Sequence, residues 1–394
     1  MATHHKLTCS STTLLESGEL LIPEVKARQQ AEFSLPQSIF SHTGENETFL
    51  TISFRLRAAT SWADASHEVA WWQHKLPSPA TAQKPLPSLE SRHTLQVQDS
   101  NTSLQISGSS WTLDFDRARG YLTSWQSAGH TLLQQDPRTS AAIIPSFWRA
   151  PTDNDVPISL PYWRRFGLDD MTSQLRSLSV QSSEETGEVV VKTSTYLSPP
   201  VLAWGYNATT TYTAFPNGSL AVKVKLEPTG SYPKTIPRVG LELHLPKALD
   251  EATWFGPGPG ESYPDSRRSQ KVGIWSKTVA ELQTNYEVPQ ENSNRMDTRW
   301  LTISESGGSG ISVTGGTTSD GTNLFKWAAG RQTAATLEAA RHPCDLVEED
   351  ATLLRLDAEV AGVGSAACGP GVREEFEVKC RDIEFEFVLR PVGV

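Results

Sequence analysis

Cysteine is scarce in this sequence: 394 residues hold only Cys9, Cys344, Cys368 and Cys380, with no C-x-x-C pair and no metal-ligand spacing. That excludes a disulfide framework and a zinc ribbon, and it leaves reduced thiols in the cytoplasm as the expectation. Positive charge is also short, with 35 basic residues against 45 acidic and a net charge of −10. Such a surface excludes nucleic acid and anionic membrane as natural partners. No apolar run reaches the roughly 18 residues that a spanning helix needs. The start, MATHHKLTCSSTT, lacks the apolar core of a secretory leader. The N-x-S/T sequons at Asn46, Asn101, Asn207 and Asn217 then read as chance matches.

Helical periodicity is nearly absent. The best candidate, LFKWAAGRQTAATLEAARH over 324–342, is interrupted by Gly330. Strands do not alternate with amphipathic helices of 10–15 residues, so a (β/α)8 barrel, which takes about 250 residues, is not encoded. Strand patterns dominate instead. Leu220, Val222, Val224 and Leu226 alternate with polar neighbours, and so do Phe376 and Val378, then Ile383, Phe385 and Phe387. Trp111, Leu113 and Phe115 run into DRARGY, the pattern of a hairpin. Gly and Pro, 27 and 25 residues, punctuate the chain as an antiparallel all-β protein requires. The stretch 77–88 carries four prolines and reads as an extended linker between residues 1–76 and 89–394. Twelve Trp and eight Tyr suit stacking on sugars and suit a β core equally well.

Four places could carry chemistry. Asp153-Asn154-Asp155, in RAPTDNDVP, sets two acids beside Arg149. The cluster reads mainly as a structural loop whose side chains satisfy local backbone donors, rather than as an acid/base or metal site. The run FGPGPGESYPDSRR lacks the Gly-Lys-Ser/Thr ending of a phosphate loop, and Pro257 and Pro259 remove N–H donors. It reads as a constrained turn with Glu261 and Asp265 near Arg267 and Arg268. His342, close to Cys344 and Asp345, has no second histidine near in sequence and reads as an ordinary histidine. The acid run Glu348-Glu349-Asp350 reads as a solvated face before the strand ATLLRLDAEV.

Several motifs together carry a resemblance. SFWRAPTDND (146–155), WFGPGPGESYPDSRRSQKVGIW (254–275), YEVPQENSNRMDTRWLTI (286–303) and GVGSAACGPGV (362–372) resemble the terminal β domain of the family 2 β-galactosidases. Upstream, LLESGELLIPEV and SWADASHEVAWWQHKL (61–76) are similar to that family's penultimate, immunoglobulin-like domain. The resemblance implies a partial immunoglobulin-like β-sandwich over 1–76 and a galactose-mutarotase-like β-supersandwich over 89–394. It implies an activity, hydrolysis of terminal non-reducing β-D-galactose, in which this chain is the non-barrel part.

By the same resemblance, both catalytic glutamates and the magnesium and sodium sites belong to a barrel absent here. No catalytic or metal-binding residue is therefore expected in this chain, and no cofactor. Retaining hydrolysis needs two carboxylates about 5–5.5 Å apart, and neither of the family's two is present. Cys368 matches a loop position, Trp or Cys in relatives, that touches the leaving sugar. Val156–Tyr162 matches a mobile loop near the active-site mouth. The implied partners are a β-galactoside and either a barrel-bearing large subunit or further copies of the chain. Two other readings stay open. One is an aldose mutarotase-like epimerase, which needs a histidine acid and a carboxylate base on the sugar. The other is a carbohydrate-binding module using Trp163, Trp254 or Trp275 as stacking platforms.

Overall fold

The computed structural model describes residues 2–9, 14–41, 47–77, 95–316 and 322–393. The chain divides into two compact units, Met1–Ser88 with Lys271–Ile274, and Leu89–Gln270 with Trp275–Val394. The proline-rich stretch 77–88, beyond its first residue, lies outside the described residues.

The first unit is built on one four-stranded antiparallel sheet in the order Leu14–Leu20, Ala2–Cys9, Thr48–Arg55, Glu68–Lys75. A small apolar cluster of Leu20, Ile39, Leu50, Ile52 and Leu76 holds it together. Among the described residues this unit shows one sheet layer, where a sandwich has two. On the edge strand Glu68–Lys75, Val69 and Trp72 are exposed.

The second unit is all-β and organised by three larger sheets. Nine strands run in the order Thr172–Ser182, Val189–Ser198, Trp204–Ala214, Leu220–Gly230, Ile383–Val392, Gly310–Gly315, Trp300–Ser304, Glu251–Gly258, Lys271–Thr278. A five-stranded sheet is ordered Ile143–Ser146, Arg238–Pro246, Ala351–Val360, Phe325–Gly330, Arg295–Thr298. A second five-stranded sheet is a meander from Gln96–Asp99 to His130–Leu133. One continuous apolar core takes residues from all three, among them Leu113, Trp125, Val222, Leu241, Trp254, Trp327 and Phe385. Sheets packed over one shared core fit the supersandwich expectation.

The alternation at 220–226 has its physical basis here. Leu220, Val222, Val224 and Leu226 are fully buried, while Lys223 and Lys225 face outward and pair with Glu384 and Glu227, each at 2.6 Å. The hairpin at 111–127 forms as its turn residues dictate. Asp116 Oδ1 accepts from the backbone N–H of Ala118 and of Arg119, both at 2.9 Å. Gly120 follows at φ +76°, a conformation open to glycine at little cost.

Two local expectations differ. The segment 324–342 is not one helix: Phe325–Gly330 is a strand and only Ala334–Ala339 is helical, with Thr333 capping it by accepting from Thr336 N–H. Phe325–Gly330 lies between Ala351–Val360 and Arg295–Thr298, and ladder pairing on both sides outweighs the weak helical pattern. Likewise Val156–Tyr162 is not all loop, because Ser159–Arg165 forms a two-turn helix closed by Gly167 at φ +63°.

Candidate functional site

The Asp153-Asn154-Asp155 turn is a clamp. Asp155 takes a bidentate pair from Arg149, Nε to Oδ2 at 3.1 Å and Nη2 to Oδ1 at 2.7 Å, with the two side chains 1% and 0% exposed. Arg149 spends its remaining donors on the carbonyls of Ala361, 2.8 Å, and Gly362, 3.0 Å. Its guanidinium also lies over the Trp163 ring, 5.4 Å from the centroid. Burial works against this charge, but the Asp155 carboxylate outweighs it and holds the guanidinium above its ordinary range. Asp155 Oδ2 further accepts from Thr152 N–H at 2.9 Å. The expected structural role of the turn is therefore real, and it reaches across the chain to residue 362.

Asn154 carries the clamp one step further. Its Nδ2 donates to Gly364 O at 3.0 Å and its Oδ1 accepts from Ala367 N–H at 3.0 Å. One carboxamide thus holds two points of the chain leading into Cys368. Asp265 secures the same loop, accepting from Gly364 N–H at 2.7 Å. Within the loop, Cys368 and Gly369 donate to Ser365 O at 3.1 and 2.7 Å, and Ser365 Oγ donates to Pro370 O at 3.0 Å. Cys368 itself is exposed. A free thiol is thus presented on a loop fixed at its base. A small cavity of about 80 Å3 lies against this loop, lined in part by Asn154, Ile158, Trp163, Gly371 and Val372.

The other candidates resolve individually. Glu261 and Asp265 do not pair with Arg267 and Arg268. Glu261 accepts from Tyr286 O–H and from Ser293 N–H, 2.7 Å, while Arg267 reaches Asp297 at 3.6 Å. The reason is that the Gly-Pro run sends Glu261 toward residues 286–293, a neighbour distant in sequence. His342 is exposed and lies 3.4 Å from Asp345, a surface pair. Glu348 meets Lys247 at 3.0 Å and Glu349 meets Arg138 at 3.4 Å, both partly solvated. Trp163 and Trp254 are buried and are no stacking platforms, whereas Trp275 is partly buried, packed against the core and donates its Nε1–H to Gly256 O at 3.1 Å. No group of three or more His, Cys, Asp or Glu comes together to hold a metal among the described residues.

What sequence reasoning missed is a buried polar cluster beneath the clamp. Arg238 forms a bidentate pair with Asp357, Nε to Oδ1 at 3.1 Å and Nη2 to Oδ2 at 2.5 Å, and Glu291 lies 3.6 Å away on its other side. Only the burial of all three reveals it, because Asp357 falls where strand alternation predicts an outward position.

The thiols differ in a way that labelling reads directly. Cys380 is buried with Sγ 2.9 Å from Tyr206 Oη, and burial pushes its thiol up to about 11. Cys368 and Cys344 are exposed. Since the thiolate is the reactive species, iodoacetamide near pH 8 should modify Cys380 at least about 100-fold more slowly than Cys368. Peptide mass spectrometry over time checks this, and equal rates would contradict the buried Cys380–Tyr206 pairing.

The fold and this site define an antiparallel β-supersandwich chain that presents a clamped, thiol-bearing loop. Residues 107–389 match the family described as beta galactosidase small chain, and residues 3–77 match beta-galactosidase, domain 4. The chain belongs to the β-galactosidase small-chain family. It is similar to the β-galactosidase of Kluyveromyces lactis, 31% identical over 82% of this chain and 30% of the relative. Similarity extends to β-galactosidase 2 of Enterobacter cloacae, 30% identical over 95% of this chain and 35% of the relative. The chain thus spans about a third of the length of these relatives. Among solved structures, a galactose 1-epimerase from Lactobacillus acidophilus matches at TM-score 0.38 and 7% identity, over 76% of this chain and 98% of that one. An aldose epimerase homologue from C. elegans matches at 0.37 and 12%, over 75% and 98%. At such TM-scores the likeness carries no argument about this chain.

Proposed function

We propose that this chain acts as the barrel-free C-terminal part of a β-galactosidase, in hydrolysis of terminal non-reducing β-D-galactose from β-galactosides. The observation that carries the reading is the pairing of family membership with a thiol-bearing loop clamped by Asn154 and Asp265. In this reading the catalytic carboxylates and the magnesium and sodium ions belong to the barrel portion. Cys368 lines the leaving-sugar subsite, and Asn154 is a positioning residue that acts through the loop. The barrel comes either from the same polypeptide or from a separate large subunit, and further copies of the chain contribute subunit contacts. A reducing, cytoplasmic setting suits the free thiols.

The test is hydrolysis of a chromogenic β-galactoside by the purified chain, alone and mixed with a barrel-bearing large fragment. We expect no turnover alone and turnover in the mixture. Cys368→Ala should raise KM for the mixture by roughly 3- to 10-fold, the scale of one lost apolar contact. Asn154→Ala should do the same without touching the sugar. Turnover by the chain alone would sink the proposal, and so would a mixture indifferent to both substitutions.

A further inference from the structure

Arginine gathers at one place where the acidic surplus of the chain would not predict it. A cleft of about 610 Å3 in the second unit has a lining that includes Asp265, Arg267, Arg268, Arg373, Glu375 and Phe376. Its volume falls within the roughly 300–1,000 Å3 of small-molecule sites. Three arginines meet two acids there, on a chain whose net charge is −10.

The two acids do little to neutralise them. Asp265 commits Oδ2 to Gly364 N–H at 2.7 Å. Glu375 meets Arg373 at 3.0 Å, but both side chains are mostly in water, where an ion pair contributes little. Arg267 reaches Asp297 only at 3.6 Å. Arg268 is exposed and has no carboxylate partner among the described residues. Ser266, also in the lining, accepts from Tyr263 N–H at 2.9 Å and keeps its own hydroxyl proton to donate.

This donor set selects a class of ligand. A guanidinium offers paired N–H donors that match the oxygens of a carboxylate or a phosphate. One arginine suffices for a carboxylate, whereas a surplus spread over three suits the near-dianionic charge and three acceptor oxygens of a phosphate. The remaining volume leaves room for an organic group against Pro264 and Phe376.

The cleft is also joined to the Cys368 loop. Asp265 fixes Gly364, and Phe376 O accepts from Gly362 N–H at 2.8 Å. Arg373 directly follows Val372, the last residue of the motif that bears Cys368. An anion held between Arg268 and Arg373 therefore ties the far end of the loop to the turn that fixes its near end.

We propose that this cleft is a phosphate-binding site, taking inorganic phosphate or a small phosphate monoester, and that its occupancy braces the loop bearing Cys368. Binding there does not rest on the role of Cys368 in hydrolysis.

The experiment is calorimetric titration of the full chain with inorganic phosphate, glucose 6-phosphate, glucose and succinate at constant ionic strength. Saturable binding of a phosphate is expected, with glucose silent and succinate weaker. Tighter binding of glucose 6-phosphate assigns the site to an ester, and tighter binding of inorganic phosphate assigns it to the free ion. Arg268→Ala and Arg373→Ala should each weaken binding roughly 10-fold, the scale of a lost charge-assisted hydrogen bond. Both side chains are exposed, so the unfolding temperature of the unliganded chain should hold. Arg119→Ala removes an exposed arginine outside the cleft and should leave the affinity unchanged. Hydrogen exchange across residues 362–372 should slow roughly 5-fold or more with phosphate bound, the low end of coupling between linked sites. The proposal is overturned by no saturable heat with either phosphate, or by glucose or succinate binding as tightly. It is overturned equally by Arg119→Ala weakening binding as much as Arg268→Ala, or by binding that leaves exchange in the loop unchanged.

Discussion

Replacing Arg238 by Met should destabilise the second unit by about 3–5 kcal/mol, the usual result of removing one partner from a buried ionic cluster. Arg238 and Asp357 are both fully buried, and the arginine serves Asp357 and Glu291 together. Without it, two carboxylates face each other with no cation between them. Burial drives the Asp357 carboxyl upward, and Arg238 is the group that most strongly pulls it back down. Even with Arg238 present the carboxyl is held above its unfolded value of about 3.9, and in the variant that restraint is gone, so the folded-state pKa rises further. A raised carboxyl gives stability that is present below the unfolded pKa and lost as pH climbs through the folded pKa. The deficit relative to wild type should therefore be smaller at pH 4.5 than at pH 7.5. Guanidinium unfolding at the two pH values measures it, and an equal deficit at both would contradict an unpaired buried carboxylate.

The second large effect belongs to Asp155→Ala, again about 3–5 kcal/mol. It strands the Arg149 guanidinium, which keeps only two carbonyls and the Trp163 face. It also removes the acceptor of Thr152 N–H. Two residues earlier, Asp153→Ala should stay within about 0.5 kcal/mol, because that side chain is exposed and its contact to Gln290 is long at 3.4 Å. Urea midpoints of the two variants decide the matter. Comparable losses would mean that the acids are interchangeable and that burial does not set their roles.

The acid-rich turn shows what could be read in advance. Its residue types fitted a structural turn, and Arg149 was the natural partner for one of its acids. Which acid pairs was invisible, because burial separates Asp155 from Asp153 and burial is set by residues 361 and 362, more than two hundred positions away. Asn154 shows the same limit. Its two bonds to the Cys368 loop join motifs separately visible in the sequence, yet nothing in either predicts that they touch. The Gly-Pro run reads as a constrained turn whose acids lie near the arginines closest to them in sequence. The fold instead gave Glu261 to Tyr286 and Ser293.

Failure was local and had a cause each time. The pattern at 324–342 mixed a central strand with a short helix, and a central strand buried on both faces loses the alternation that marks a strand. The strand Ala351–Val360 is buried along nearly its whole length, so Arg355 and Asp357 occupy interior positions that alternation would send outward.

By itself the sequence determined the all-β class, the main amphipathic strands and the family, because two-residue alternation, turn chemistry and ordered motifs are local properties of the chain. Tertiary structure alone decided which polar groups are buried together. The clamp of Arg149, Asp155 and Asn154, the Arg238 cluster and the cleft at Arg268 and Arg373 exist only once distant strands pack, since a charge or hydroxyl acquires its cost and its partner when water is removed from around it.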